Sequence, residues 1–131
     1  MTKYEKCLAI AEKLHEGQFS RGGEPCIEHC KRVAEWFSDE KLKSIAILHD
    51  VLEEGRIQYK DLLQNVGTVI ACGVESLTKY HGESYSDYIA RIPVRLAKIK
   101  LADITDNLCR QPSERQKEKY RNAIRVLLSK R

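Results

Sequence analysis

The stretch Ile45-Ala46-Ile47-Leu48-His49-Asp50-Val51-Leu52-Glu53-Glu54-Gly55 sets one imidazole and three carboxylates at the end of an apolar segment. Its aliphatic side chains point in nearly every direction around a helix axis, which is typical of a helix buried at the centre of a fold. Imidazoles and carboxylates are costly to bury without partners. The stretch therefore predicts a central helix, from a cap at Ser38 to about residue 53, that ends at a metal-binding or catalytic pocket.

Apolar residues recur at helical spacing along the rest of the chain. They predict a first helix over about residues 3–16 and, after a glycine-containing loop, a second over about 25–37. Two further helices follow at about 58–65 and 68–79, and Ser84 is placed to cap another short one. The N-terminal two thirds of the chain are therefore predicted to be helical.

The segment Lys98-Ile99-Lys100-Leu101 alternates like a β-strand when it is read alone. No other stretch offers a strand to pair with it, and a helical face of longer range runs through Leu96, Ile99, Asp103 and Asn107. We therefore predict a helix here, followed by a last helix that begins at the capping box Ser113-Glu114-Arg115-Gln116. The predicted fold is all-α, a single domain over residues 1–131 with about seven or eight helices.

The composition is that of an ordinary globular chain, since 42% of the 131 residues are hydrophobic and 32% are charged. No apolar run approaches the roughly 18 residues of a membrane span, and the N-terminus lacks the layout of a signal peptide. We therefore expect no membrane partner. The five cysteines are odd in number and scattered, so we interpret them as reduced thiols and expect a cytoplasmic location.

The net charge is +4, and the excess lies after residue 109. Two interpretations are open: a solvated helix face, or a field that attracts a polyanionic small molecule. The basic tail lacks the aromatic interleaving of a nucleic-acid platform, so no nucleic-acid partner is expected.

Four residues on three predicted helices are candidate metal ligands, namely His29, the pair His49-Asp50, and Asp103. Two imidazoles and two carboxylates form a mixed nitrogen and oxygen donor set. Such a set suits a borderline or fairly hard divalent ion such as manganese better than a closed thiolate zinc site. Adjacent side chains on a helix diverge by about 100°, so spacing alone leaves open whether these groups are ligands or hydrogen-bonded core residues.

Three other residues lie among the candidates. His15 falls on the apolar stripe of the first helix, where it is either a hydrogen-bonded core residue or part of the pocket lining without binding metal. Cys26 and Cys30 flank His29, but a closed zinc site needs a fourth ligand and usually a second cysteine pair. We interpret both cysteines as small core residues.

The order His29, His49-Asp50, Asp103 resembles the H…HD…D pattern of the HD-domain metal-dependent phosphohydrolases. Longer motifs resemble the hydrolase domain of the RelA/SpoT family, the guanosine tetraphosphate hydrolases, over about residues 7–128. They are His15-Glu16-Gly17-Gln18, Arg21, Gly23-Glu24-Pro25-Cys26-Ile27-Glu28-His29, Leu48-His49-Asp50-Val51-Leu52-Glu53-Glu54, Val66-Gly67, Leu77-Thr78-Lys79, and Lys100-Leu101-Ala102-Asp103 with Asn107-Leu108.

The resemblance implies an all-helical HD bundle that uses a divalent ion, typically Mn²⁺, to remove the 3′-pyrophosphate of ppGpp or pppGpp. It assigns the four candidate ligands to that ion. Glu53 and Glu54 would orient or deprotonate the attacking water. Asn107 would hold the nucleotide, while Arg21 and Lys100 would offset phosphate charge; for Lys100 a surface lysine is the alternative.

The chain departs from the family pattern at Ser20, Cys26, Cys30 and Asp106, where a basic residue, Tyr, Pro and His are usual. These departures affect nucleotide contacts more than metal ligands, so the substrate stays open between ppGpp and another nucleotide phosphate ester. A non-catalytic nucleotide-binding module is a third alternative. The synthetase and regulatory domains of long RelA/SpoT proteins are not in this sequence, so we expect a small stand-alone hydrolase, with its oligomeric state open.

Overall fold

The computed structural model describes residues 1–131 throughout and divides them into two compact units, residues 1–78 and 79–131. There are eight helices and no strand beyond an isolated bridge between Phe19 and Pro25. The helices are α1 (Lys3–Leu14), α2 (Cys26–Glu35), α3 (Glu40–Ile47), α4 (Tyr59–Val66), α5 (Thr68–Ser76), α6 (Tyr85–Arg91), α7 (Val94–Leu108) and α8 (Glu114–Leu128). The all-α prediction is confirmed, and the single domain over residues 1–131 stays a prediction.

In the first unit, α3 is the central helix, as its apolar sequence predicted. It packs against α1, α2 and α5, and its residues 44–47 are all buried. Close approach to α5 depends on Gly73, because a Cβ atom there would lie 2.5 Å from Cδ1 of Ile45. Helix α3 therefore fixes where its C-terminal end, and the polar residues after it, are placed.

The prediction that this central helix runs to about residue 53 is wrong, because α3 ends at Ile47. The carbonyl of Ala46, which would accept from Asp50 in a continuing helix, instead accepts from the backbone N–H and the ring Nδ1 of His49. Residues 48–56 continue as a series of turns. His49 and Asp50 are therefore freed from the divergence of about 100° that a helix would impose on neighbouring side chains.

The N-caps show how local sequence sets the helix boundaries. Asp39, one residue after the predicted Ser38, caps α3 by accepting from the N–H of Leu42 at 2.9 Å. Ser84 caps α6, and Ser113 forms the predicted capping box of α8. Thr2 forms a second capping box, which we did not predict, at α1.

In the second unit, α8 packs against α6 and α7. The segment 98–101, whose alternation suggested a strand, lies inside α7, as the longer helical face predicted. The start of α6 is held by Arg91, whose guanidinium donates to the Glu83 carboxylate at 2.6 and 2.8 Å and lies over the ring of Tyr80. No helix in the chain is both long and apolar enough to cross a bilayer.

Candidate active site

His29, His49 and Asp50 come together in the first unit. Each offers one ligand atom, and these atoms all lie within 4.8 Å of one another. His29 reaches the cluster from α2, while His49 and Asp50 reach it from the turns after α3. The two imidazole rings are 5.3 Å apart at their centroids and inclined by 64°. Three of the four predicted ligands thus share one place.

The orientation of His49 is set by the backbone. Its Nδ1 lies 2.6 Å from the Ala46 carbonyl, which can only accept a hydrogen bond. Nδ1 must therefore carry the proton, so the lone pair of the neutral ring is on Nε2, 3.3 Å from Oδ1 of Asp50. A backbone hydrogen bond to one imidazole nitrogen with the other facing the site is the usual arrangement of metal-bound histidines.

The chemistry of this donor set fits a divalent ion with open coordination positions. It holds two imidazole nitrogens and a carboxylate, which is a mixed nitrogen and oxygen set. Burial raises the pKa of the nearby Cys26 thiol, as do the Glu54 and Asp50 carboxylates. The thiol therefore stays protonated and is a poor metal ligand. None of the five cysteines is in a disulfide bond. Cys30 is buried, as predicted for a core residue, whereas Cys26 is only partly buried.

Glu53 and Glu54 follow the cluster in the same run of turns, and both are exposed. Arg21 is exposed in the loop between α1 and α2, where the backbone folds back through a hydrogen bond from Ser20 N–H to the Glu24 carbonyl at 2.8 Å. The Glu24 carboxylate accepts two hydrogen bonds from Arg32. Arg21 is thus an exposed basic side chain on this loop, and the Glu24 carboxylate is paired with Arg32 on α2.

Gln18 contacts both His15 and Glu54, and the sequence analysis identified neither contact. His15 is 3% exposed, and its Nδ1 lies 2.8 Å from Oε1 of Gln18. The amide of Gln18 donates to Oε2 of Glu54 at 2.8 Å. The position of His15 on an apolar stripe was the only signal in the sequence, and it left the partner of this histidine undetermined.

Asp103 lies in the second unit, buried on α7 at 5% exposed. Its Oδ2 accepts from the Lys100 ammonium at 2.8 Å, and its Oδ1 accepts from the Asn107 amide at 3.4 Å. The alternative of a surface lysine is wrong for Lys100, because that side chain is 13% exposed. Three of the residues that we predicted for the site therefore form one hydrogen-bonded group on successive turns of α7.

Aromatic rings surround the Lys100 ammonium, which lies 5.1 Å from the ring centre of Tyr88 and 5.9 Å from that of Tyr85. Burial alone would lower the pKa of Lys100, but Asp103 and the two tyrosines outweigh it and hold the pKa well above its ordinary value. Burial likewise raises the pKa of Tyr85 and of Tyr120, which is hydrogen-bonded to Asn107. The tyrosines lie on α6 and α8, so the sequence pattern of α7 could not reveal them.

Known proteins are similar to this chain along most of its length, although no family model matches it. The bifunctional (p)ppGpp synthase/hydrolase SpoT of Escherichia coli K12 is 32% identical over 142 residues, covering 95% of this chain and 20% of that protein. A guanosine-3′,5′-bis(diphosphate) 3′-pyrophosphohydrolase of Borreliella burgdorferi is 35% identical over 80 residues, covering 58% of this chain and 12% of that protein. The chain thus spans a fifth or less of the length of these relatives.

A solved structure has the same fold. It is of a metazoan orthologue of SpoT, described as hydrolysing ppGpp and acting in starvation responses. The TM-score is 0.84 at 22% sequence identity, over 98% of this chain and 87% of that one. The chain is therefore similar in sequence to RelA/SpoT (p)ppGpp hydrolases and similar in fold to the solved SpoT orthologue, as its motifs predicted.

Proposed function

We propose that this chain is a metal-dependent phosphohydrolase that removes the 3′-pyrophosphate of ppGpp or pppGpp. The observation that carries the proposal is the convergence of His29, His49 and Asp50 within 4.8 Å. The substrate is supported by relatives that are named (p)ppGpp hydrolases. A cytoplasmic location, expected from the cysteines, stays a prediction.

The ion we propose is Mn²⁺, held by His29, His49, Asp50 and, as a fourth ligand, Asp103. The first three are supported by their proximity and by the orientation of His49. Asp103 is supported by its place in the Lys-Leu-Ala-Asp motif and by its burial. A divalent ion in such a site supplies a lowered pKa for a bound water and offsets charge on the attacked phosphate.

Glu53 and Glu54 are the proposed proton acceptors. Both carboxylates follow Asp50 closely in the chain and are exposed, so they can exchange protons with solvent between turnovers. One of them would take a proton from the attacking water as the water oxygen bonds to phosphorus and the bond from phosphorus to the ribose 3′ oxygen breaks. The 3′ oxygen would take up a proton and leave as the 3′-hydroxyl of the nucleotide, and the hydrolysed group would be released as pyrophosphate. The carboxylate of Glu54 accepts a hydrogen bond from the side chain of Gln18.

Arg21, Asn107 and Lys100 are the proposed substrate contacts. Arg21 carries its charge on an exposed loop and can reach a phosphate from solvent. Asn107 is proposed to hold the nucleotide, with its amide next to Asp103. Lys100 pairs with Asp103, so we propose that it offsets phosphate charge from that position rather than as a freely moving side chain.

A nucleotide screen tests the proposal. The purified chain would be incubated with ppGpp, pppGpp and other nucleotide phosphate esters, with Mn²⁺, with Mg²⁺ and without metal. We expect GDP and pyrophosphate from ppGpp in Mn²⁺ and no turnover by a His49→Ala variant. Release from other nucleotides alone would favour a phosphohydrolase of different substrate. Tight nucleotide binding without turnover would favour a binding module.

A further inference from the structure

We propose that Gln18 is a positioning residue that holds the Glu54 carboxylate for proton transfer, and that the buried His15 anchors the other end of the Gln18 amide. The inference rests on the proposed function, because it concerns Glu54 as a proton acceptor. It adds a residue from the loop after α1 to the part of the site that α2 and the turns after α3 form in the first unit.

Gln18 is fixed at both its backbone and its side chain. Its N–H donates to the carbonyl of His15 at 3.0 Å, and its carbonyl accepts from the N–H of Cys26 at 2.9 Å. Its side-chain oxygen lies 2.8 Å from Nδ1 of His15, and its side-chain nitrogen donates to Glu54 at 2.8 Å. Two hydrogen bonds thus fix the backbone of Gln18 and two restrain its side chain, although the loop that carries it lies at the surface.

The carboxylate of Glu54 fixes the direction of the Gln18 side-chain amide. An ionised carboxylate only accepts hydrogen bonds, so Gln18 must present its NH₂ group to Glu54. The amide oxygen then faces His15, which must donate from Nδ1. A neutral His15 accordingly has its lone pair on Nε2. The carboxylate therefore sets the direction of the amide, and the buried imidazole anchors the amide oxygen at its other end.

The same imidazole connects this contact to the candidate metal ligands. Sγ of Cys30 lies 3.9 Å from Nε2 of His15 and 4.0 Å from Oδ2 of Asp50. The thiol has one proton, which can serve either acceptor. A continuous series of side chains therefore runs from Asp50 through Cys30, His15 and Gln18 to Glu54. It joins the residue proposed to hold the ion to the residue proposed to take the proton.

The functional consequence is preorganisation of an exposed carboxylate. A glutamate side chain at the surface samples many rotamers, and efficient proton transfer needs the acceptor within hydrogen-bond reach of the water. The Gln18 amide restricts Glu54 without neutralising it, whereas a lysine or arginine would form an ion pair. Loss of Gln18 should therefore lower kcat and leave metal binding and KM nearly unchanged.

The test compares Gln18→Glu with Gln64→Glu. The first change keeps the acceptor for His15 and replaces the donor to Glu54 with a like charge. The control makes the same change at an exposed position of α4. We expect kcat to fall about 10- to 100-fold in Gln18→Glu and to change less than twofold in the control. Metal content and KM should match the wild type in both variants.

Gln18→Met guards against misfolding, since it removes the hydrogen bond without adding charge. It should show the same split between kcat and KM, with a smaller loss. If both Gln18 variants fold, bind metal and keep kcat within twofold of the control, the inference is wrong.

A double variant separates positioning from a purely structural contact. Gln18→Glu combined with Glu54→Gln restores a donor and acceptor pair in the reverse sense, so thermal stability should recover while activity stays low. Recovered activity would show that only the contact matters and would overturn the inference. The side-chain amide resonances of Gln18 should differ between the wild type and Glu54→Ala. Unchanged resonances would also overturn the inference. A wild-type chain that hydrolyses no nucleotide would instead reject the proposed function.

Discussion

The two candidate carboxylate ligands, Asp50 and Asp103, have opposite surroundings. Asp50 lies in a turn against two imidazoles and a thiol, none of which carries a fixed positive charge at neutral pH. Asp103 lies within a helix, and its Oδ2 accepts from a largely buried ammonium at 2.8 Å. The surroundings of Asp50 leave its carboxylate able to bind a cation from solution. The carboxylate of Asp103 instead pairs with the ammonium of Lys100 on the same helix.

Asp50 and Asp103 belong to the same sequence pattern, but the groups that surround their carboxylates differ. The histidine cluster of the first unit resembles a metal site in its donors and their proximity. The Lys100–Asp103 pair resembles a buried salt bridge, surrounded by tyrosine rings and an amide. Breaking such a pair is costly because it leaves one charge buried and uncompensated. Substitutions in the two places should therefore fail in different ways.

The largest expected effect is loss of metal from the histidine cluster. His29→Ala and His49→Ala should each lower Mn²⁺ affinity by more than about 100-fold, since even outer-shell changes cost about 10- to 100-fold. Isothermal titration with Mn²⁺ measures this. His81→Ala, at an exposed position of a loop, is the matched control and should bind like the wild type. If His49→Ala bound Mn²⁺ as tightly as the wild type, the proposed metal site would be wrong.

The next effect is on stability and compares the two carboxylates directly. Asp103→Asn should lower the free energy of unfolding by about 3–5 kcal/mol, because it leaves the Lys100 charge buried without its partner. Asp50→Asn should cost about 1 kcal/mol or less in the metal-free chain, because its partner is an imidazole. Urea unfolding measures both.

A second substitution tests the cause of that loss. Lys100→Met combined with Asp103→Asn should recover most of the stability, because it removes the uncompensated charge. Equal losses for the two single asparagine variants would contradict the contrast between Asp50 and Asp103.

A smaller effect is expected at the helix caps. Thr2 begins α1 in the first unit and Ser113 begins α8 in the second, each in a capping box. Thr2→Ala and Ser113→Ala should each cost about 1 kcal/mol of unfolding free energy. Thermal melts with a two-state fit provide the measurement. Losses under a few tenths of a kcal/mol would show that the caps do not limit stability.

The last effect depends on pH and is expected at the partly buried Glu83–Arg91 pair. Hydrogen bonds from Arg91 lower the pKa of Glu83 from its ordinary 4.5 to about 2. The contribution of the ionised Glu83 to the free energy of unfolding is therefore complete above pH 4.5 and is lost as the pH falls towards 2. The melting temperature of Glu83→Gln should differ from that of the wild type above pH 4.5 and converge with it below. A constant difference down to pH 2 would contradict the lowered pKa.

The sequence by itself determined the helical character of the chain and most of its helix boundaries. Apolar spacing and local caps depend on residues three or four positions apart, so Ser84 and the Ser113 capping box could be identified directly. The resemblance to the H…HD…D pattern also predicted that His29, His49 and Asp50 share one site, and their ligand atoms do lie within 4.8 Å of one another. Their role as metal ligands stays a prediction.

Only the tertiary structure decided how those residues meet. Helix α3 ends at Ile47, where the ring of His49 donates to the Ala46 carbonyl in place of a further helical hydrogen bond. The apolar spacing of the sequence does not show this hydrogen bond. The burial of Lys100 depends on tyrosines from other helices. The Gln18–Glu54 hydrogen bond joins residues 36 positions apart. The Lys100 and Gln18 contacts are set by packing between elements, whereas sequence spacing reports only neighbours on one element.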